Sequence, residues 1–218
     1  MRLHEYEALD IFEQNRIPVP RRGVANTMHE ALDIAGEIGY PVILKAQVLV
    51  GGRGLAGGIK TASSPDELKD IADSLLSSEI KGLSVRKILV CEKLEIEKEL
   101  YLGITIDGYS GKPVIVVSTE GGVLIEETAR TSPEKIAAIH IDPSFGYYPY
   151  QARGLLKMLG LKQQLVTAWS EIIGRLFNIV LRYESLIAEI NPLAVLPNGG
   201  LFAVDAVLEV DNSALSRL

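Results

Sequence analysis

Pro41-Val42-Ile43-Leu44-Lys45-Ala46-Gln47-Val48-Leu49-Val50 runs directly into Gly51-Gly52-Arg53-Gly54-Leu55-Ala56-Gly57-Gly58 and then Ile59-Lys60-Thr61-Ala62. Two runs rich in β-formers flank five glycines in eight positions, which reads as a hairpin with a glycine-dense tip. A bare glycine cluster also serves as a flexible linker. Set between strands, it lets backbone N–H groups approach an anion, and Arg53 adds a fixed positive fork. It lacks the G-x-x-x-x-G-K-[ST] spacing and the following helix of a Walker A loop, so a hairpin covering phosphates is the closer mechanical analogy. Strand alternation sets Val42, Leu44, Ala46, Val48 and Val50 on one face and Ile43, Lys45, Gln47 and Leu49 on the other. A lysine among such neighbours needs a partner. Either a glutamate pairs with it, or its ammonium is aimed at phosphate oxygens beneath the glycine loop.

Outward from this hairpin the chain mixes helices and strands. Leu3, Tyr6, Leu9, Ile11 and Phe12 have helical spacing up to Ile17-Pro18-Val19-Pro20. Thr27 with Glu30, and Ser64-Pro65 with Glu67, predict two capped helices, the first closed by Gly39. Strands are expected at Lys87–Cys91, Glu99–Ile106, Pro113–Ser118, Leu186–Ile190, Ala194–Leu196 and Leu201–Val204. A further helix is predicted from Ser132-Pro133-Glu134, and a long helical region from Ala152 to Tyr183, broken near Gly160. The elements do not alternate strictly, so the predicted class is α+β rather than a doubly wound sheet.

The composition removes several functions. With Lys+Arg 22 against Asp+Glu 28, net charge −6 and 6% aromatics, the chain offers neither a basic patch for phosphate backbones nor a base-stacking platform. One cysteine, Cys91, excludes an internal disulfide and a Cys-based metal cage and points to a reducing compartment. No apolar run is long enough for a membrane span, and Met1–Glu7 is too polar for a signal peptide. A soluble cytoplasmic protein is expected.

A second constellation lies in Ala188-Glu189-Ile190-Asn191-Pro192. Glu189 and Asn191 are two apart in a strand and share a face. A four-residue loop Pro197–Gly200 would pair Leu196 with Leu201, setting Asp205 opposite Pro192 and beside Asn191. Hard oxygen ligands without His or Cys suit Mg²⁺, which takes one or two protein oxygens plus water and phosphate. The plainer reading is a polar sheet edge with Asn191 capping a turn.

At these residues the sequence resembles the β subunits of succinyl-CoA synthetase in their N-terminal ATP-grasp region. The matching stretches are Leu3–Tyr6, Leu44–Val48, Gly51–Gly54 with Ala56–Gly58, Lys98–Gly103, Ser118–Val123, Pro149–Gln151 with Arg153, and Glu189–Leu193, in family order along the chain. The resemblance implies an ATP-grasp fold in which two α+β lobes hold a nucleotide, ATP or GTP. The smaller lobe would span residues 21–94, and residues 1–20 and 95–218 the larger. It also implies that Lys45 and Gly52-Arg53-Gly54 hold the phosphates. The link from Cys91 to Leu94 would face adenine through its backbone, Glu99 would bind ribose, and Asn191 and Asp205 would bind Mg²⁺. A histidine on a partner α subunit would carry the phosphoryl group, with Glu189 near it. His4, His29 and His140 do not match the family's phosphohistidine motif.

Three departures stand against the family pattern. The chain stops near Leu218, where family β subunits continue into a second domain. Ala206-Val207 lacks the basic residue usual after the aspartate, and Leu55 stands where lysine is frequent. Malate- and citrate-CoA ligases share the layout, and carboxylate–amine ligases and non-catalytic nucleotide-binding modules are the other readings. Glu189–Leu193 and Thr119–Val123 favour the CoA-ligase branch.

Overall fold

The computed structural model describes residues 1–214, Ser216 and Arg217. Leu215 and Leu218, which the expected larger lobe includes, lie outside the described residues. In chain order the first half carries α1 (Glu5–Gln14), β1 (Arg22–Ala25), α2 (Met28–Ile38), β2 (Val42–Ala46), β3 (Ile59–Ala62), α3 (Pro65–Leu76), β4 (Glu79–Ile80), β5 (Leu83–Ser84) and β6 (Ile88–Glu92). The second half carries β7 (Lys98–Ile106), β8 (Pro113–Ser118), α4 (Ile125–Thr131), β9 (Ile136–His140), α5 (Pro149–Met158), α6 (Gln163–Arg182), β10 (Ser185–Val195), β11 (Leu201–Ala203) and β12 (Ala206–Val210). Pro20–Leu94 forms one compact unit, and Met1–Val19 with Glu95–Leu218 forms the other.

In the Pro20–Leu94 unit the sheet order is β1-β6-β2-β3, with every neighbour antiparallel. Helices α2 and α3 supply Ala31, Ala35, Leu68, Ala72 and Leu75 to a core shared with Val42, Leu44, Ala46, Ile88 and Val90. Both helix starts are stapled locally. Thr27 Oγ1 accepts the Glu30 N–H at 3.2 Å and Ser64 Oγ the Glu67 N–H at 3.3 Å. The two glutamates reach one residue further back than in the usual box, accepting the N–H groups of Asn26 and Ser63 at 2.7 Å.

The other unit holds an antiparallel sheet in the order β11-β10-β7-β8-β9, with β12 also on β10. Leu9, Phe12, Leu100, Leu102, Ile115, Val117, Trp169, Phe177 and Ile190 are at most 1% exposed and form its interior. The chain before α1 joins this sheet late, through an Arg2–Glu209 bridge and the Leu3 N–H donating to the Leu208 carbonyl at 3.0 Å.

Three expectations are corrected. The helix predicted from Ser132 is a single 3₁₀ turn, Pro133–Lys135, leading into β9, because Ile136–His140 pairs in full register with β8. The strand predicted to Val50 ends at Ala46, with one further in-register bond from the Gln47 N–H to the Lys87 carbonyl at 2.9 Å before the chain leaves β6. The loop after β10 has three residues, not four. Leu196 and Gly200 close it (2.9 Å), Gly199 takes φ +81°, and Val195 therefore faces Leu201.

Candidate functional site

Lys45 sits near the end of β2 with Leu89 and Ile59 as its ladder partners. Ile43, Lys45, Leu89 and Cys91 share the sheet face opposite the α2–α3 core. Lys45 is only 3% exposed and Gln47 4%, so the lysine's charge-bearing end is held out of water at the foot of the glycine loop. Burial of that charge is costly unless it is met by hydrogen bonds or an anion.

The loop itself is braced. Its base is tied by the Ala46 N–H to the Gly58 carbonyl (2.8 Å) and the Gly58 N–H to the Arg53 carbonyl (2.8 Å). The Arg53 guanidinium folds back, 8% exposed, and donates to the Ala46 carbonyl at 3.3 Å. Gly52 and Gly54 accept from the Ala56 and Gly57 N–H groups in successive turns. Lys81, in the turn between β4 and β5, donates from Nζ to the Gly51 carbonyl at 2.7 Å. A Cβ on Gly58 would meet Ile80 Cδ1 at 2.5 Å, so any larger residue there would push Ile80 aside where the loop rests on that hairpin.

Cys91 lies inside β6, between Arg22 on β1 and Ile43 on β2, and is buried and unbridged. Its backbone therefore lies within the ladder, and the first chain past the strand is Lys93-Leu94. In the same unit Glu92 pairs with Arg21 at 3.2 Å.

In the second unit the corrected register puts Asp205 opposite Asn191 itself: the Asn191 N–H donates to the Asp205 carbonyl at 3.3 Å. Asn191 Oδ1 accepts the Gly122 N–H at 2.7 Å and its Nδ2 donates to the Val123 carbonyl at 2.9 Å. Asp205 Oδ1 accepts the Ala206 N–H at 2.8 Å. A second lone pair on the amide oxygen and the other carboxylate oxygen of Asp205 are the donors a hard cation would use. Among the described residues no group of three or more His, Cys, Asp or Glu side chains is arranged to hold a metal. Gly121 and Gly122 pass tightly over the start of β7. A Cβ on Gly121 would lie 2.2 Å from the Leu100 carbonyl oxygen, and one on Gly122 2.1 Å from Glu99 Oε2. Glu99, exposed, thus lies beside the loop that Asn191 holds.

Glu189 faces Gly103 across the β10–β7 ladder. Two residues before Gly103, Tyr101 is 6% exposed and leans across it, its hydroxyl 2.4 Å from where a Cβ would stand, and hydrogen-bonds Glu189. Burial pushes the Glu189 carboxyl above the ordinary carboxylate range; an Asn191 hydrogen bond offsets this, and the charges of Asp205 and Glu126 add to it. The Tyr101 phenol is raised well above its ordinary value, first by burial and then by Glu189 and Glu126. Tyr101, Gly103 and Glu126 were absent from the sequence-based site. The available signal was a lone glycine inside an otherwise apolar β run.

Lys45 and the Gly52–Gly54 loop thus lie together in one unit, and Glu99, Glu189, Asn191 and Asp205 together in the other. Two antiparallel sheets faced by helices, one with a glycine-rich hairpin loop, define an α+β class of protein. The ATP-grasp domain profile matches residues 2–195, and the chain belongs to that family. It is 44% identical over 217 residues to a Haloarcula marismortui protein named succinate–CoA ligase [ADP-forming] subunit beta, covering 100% of this chain and 57% of that protein. The chain therefore spans little more than half the length of that relative. Among solved structures it is similar to the dinucleotide forming acetyl-coenzyme A synthetase 1 of Ca. Korarchaeum cryptofilum, with TM-score 0.74 at 23% identity, covering 96% of this chain and 93% of that one. A second structure of that synthetase, in complex with coenzyme A and Mg-AMPPCP and with its phosphohistidine segment pointing towards the nucleotide binding site, gives TM-score 0.69 at 21% identity, covering 96% and 92%. These likenesses agree with the α+β class read from the sequence. Among the described residues no helix is long and apolar enough to cross a membrane.

Proposed function

We propose that this chain is the nucleotide-binding part of a nucleoside-diphosphate-forming succinate–CoA ligase β subunit. It would transfer the γ-phosphoryl group of ATP or GTP to or from a histidine on a partner α subunit. The observation that carries this reading is the 44% identity, along the whole chain, to a protein of that name. The burial of Lys45 at the foot of the braced glycine loop supports it.

In this reading Lys45 and the backbone of Gly52-Arg53-Gly54 hold the phosphates, with Arg53 bracing the loop from beneath. Cys91 contributes from the sheet face and the Lys93-Leu94 backbone faces adenine, while Glu99 binds ribose. Asn191 and Asp205 hold Mg²⁺, which when bound neutralises phosphate oxygens. Glu189, kept in place by Tyr101 and Asn191, accepts a hydrogen bond from the partner's imidazole and orients it. The protein's contribution is positioning and charge neutralisation rather than covalent chemistry of its own. Residence in the cytoplasm, suited to a lone buried cysteine, completes the reading.

Calorimetric titration of ATP and GTP, with and without Mg²⁺, tests it. Saturable, Mg²⁺-dependent binding is expected, and Lys45→Ala should weaken it by about 1.5–3 kcal/mol, the range for a hydrogen bond to a charged group. Unchanged affinity in the variant would remove Lys45 from the site. A cognate α subunit whose histidine stays unphosphorylated in the presence of nucleotide-loaded chain would point instead to a binding module.

A further inference from the structure

The β4–β5 hairpin has no role in the reading above, yet two consecutive residues of it touch the glycine loop. Its turn is Lys81-Gly82, both at positive φ (51° and 80°), the two-residue geometry that matches strand twist and leaves little freedom at the tip. On either side the hairpin is sunk in the core: Ile80 and Val85 are each 3% exposed and belong to the α2–α3 core. The Val85 N–H closes onto the Ser78 carbonyl at 3.1 Å. The turn is therefore a fixed post, and it delivers Lys81 Nζ to the Gly51 carbonyl at 2.7 Å, within 3.1 Å of a Cβ position on Gly52.

What this does follows from how the loop is held. Its second limb is tied into the sheet by Gly58 and by the buried Arg53. The first limb keeps one ladder bond at Gln47 and buries Val48, then passes through the exposed Leu49 and enters the glycines. Glycine backbones have the most conformational freedom to lose, so an untethered limb would have to be ordered at the moment an anion binds. Lys81 ties it down beforehand.

We propose that Lys81 is a positioning residue of the glycine loop, its ammonium holding the first limb at Gly51 so that the Gly52–Gly54 backbone is set for phosphate before nucleotide arrives. This rests on the loop's reading as a phosphate cradle. Two measurements on the full chain separate the two ideas. The first is hydrogen exchange of the Gly51–Gly58 amides without nucleotide, and the second is calorimetric titration of Mg·ATP, each on wild type, Lys81→Met and Lys81→Arg. Lys81→Met should raise exchange in the loop and weaken Mg·ATP by about three- to ten-fold, with the thermal midpoint unmoved, while Lys81→Arg restores most of both. Unchanged loop exchange in Lys81→Met would overturn the tether. Raised exchange with wild-type affinity would overturn its part in binding. A wild-type chain that takes up no nucleotide would count against the phosphate reading, while the exchange comparison would still decide whether Lys81 holds the loop.

Discussion

Replacing Gly103 by alanine probes the packing that sets Glu189. A methyl group there would stand 2.4 Å from the Tyr101 hydroxyl oxygen, 2.9 Å from its Cζ and 3.0 Å from Cε1, whereas ordinary contact begins at 3.4 Å. The phenol must retreat by about 1 Å in an interior too dense to yield freely. Overpacking of this kind costs about 1–3 kcal/mol. The retreat also breaks the hydrogen bond to the Glu189 carboxyl, for which about 1.5–3 kcal/mol is typical. One displacement causes both losses, so they do not add fully, and a destabilisation of about 2–4 kcal/mol is expected. Urea unfolding followed by the fluorescence of Trp169 measures it, because the chain's one tryptophan is fully buried in α6 of the same unit. Tyr101→Phe removes the closest atom of the clash, so the double variant should lose at least about 1 kcal/mol less than the two single changes together. A Gly103→Ala protein within about 0.5 kcal/mol of wild type, or additive with Tyr101→Phe to that margin, would refute the account.

Asp205→Asn should leave the fold intact, since an amide oxygen can still accept the Ala206 N–H, and should weaken the Mg²⁺ dependence of nucleotide binding; titrations at several Mg²⁺ concentrations check this, and unchanged dependence would remove Asp205 from the ion. The β7–β8 turn should open in acid. Asp107 there is held down to about 2 by the Ser110 hydroxyl (2.6 Å), then by the Tyr109 N–H, with His140 also in contact. A carboxyl depressed in the folded state stabilises it above the unfolded value of about 4 and loses that contribution as pH falls toward 2. Exchange at the Tyr109 and Ser110 amides should rise over that window, and Asp107→Asn should abolish the pH dependence.

Much of the fold is legible in the chain because its signals are local. Thr27 and Ser64-Pro65 announce α2 and α3 through caps that form within one turn. The strict period of two sets Lys45 on the face away from Leu44 without further information. The misreadings involve contacts distant in sequence. Ser132-Pro133-Glu134 carries the grammar of a helix start, but pairing with β8 takes the following residues as a strand. The loop after β10 reads as one residue too long because Gly199 enters the left-handed region, and that single residue decides whether Asp205 faces Pro192 or Asn191. Tyr101 and Glu189 lie 88 positions apart and meet only because β7 and β10 are neighbours. No periodicity in either strand announces that meeting.

The smaller unit is continuous in sequence from Pro20 to Leu94, whereas the other is assembled from segments on both sides of it. During synthesis, Pro20–Leu94 has its whole sheet and both covering helices as soon as it emerges. The segment before α1 meets its partner strand only when Glu209 has been made, roughly 115 residues after Leu94. At translation rates of about 5–20 residues per second that interval is about 6–23 s, long against the folding time of a domain this small. The glycine loop and its bracing hairpin therefore have time to form before the other unit can close its last β pair.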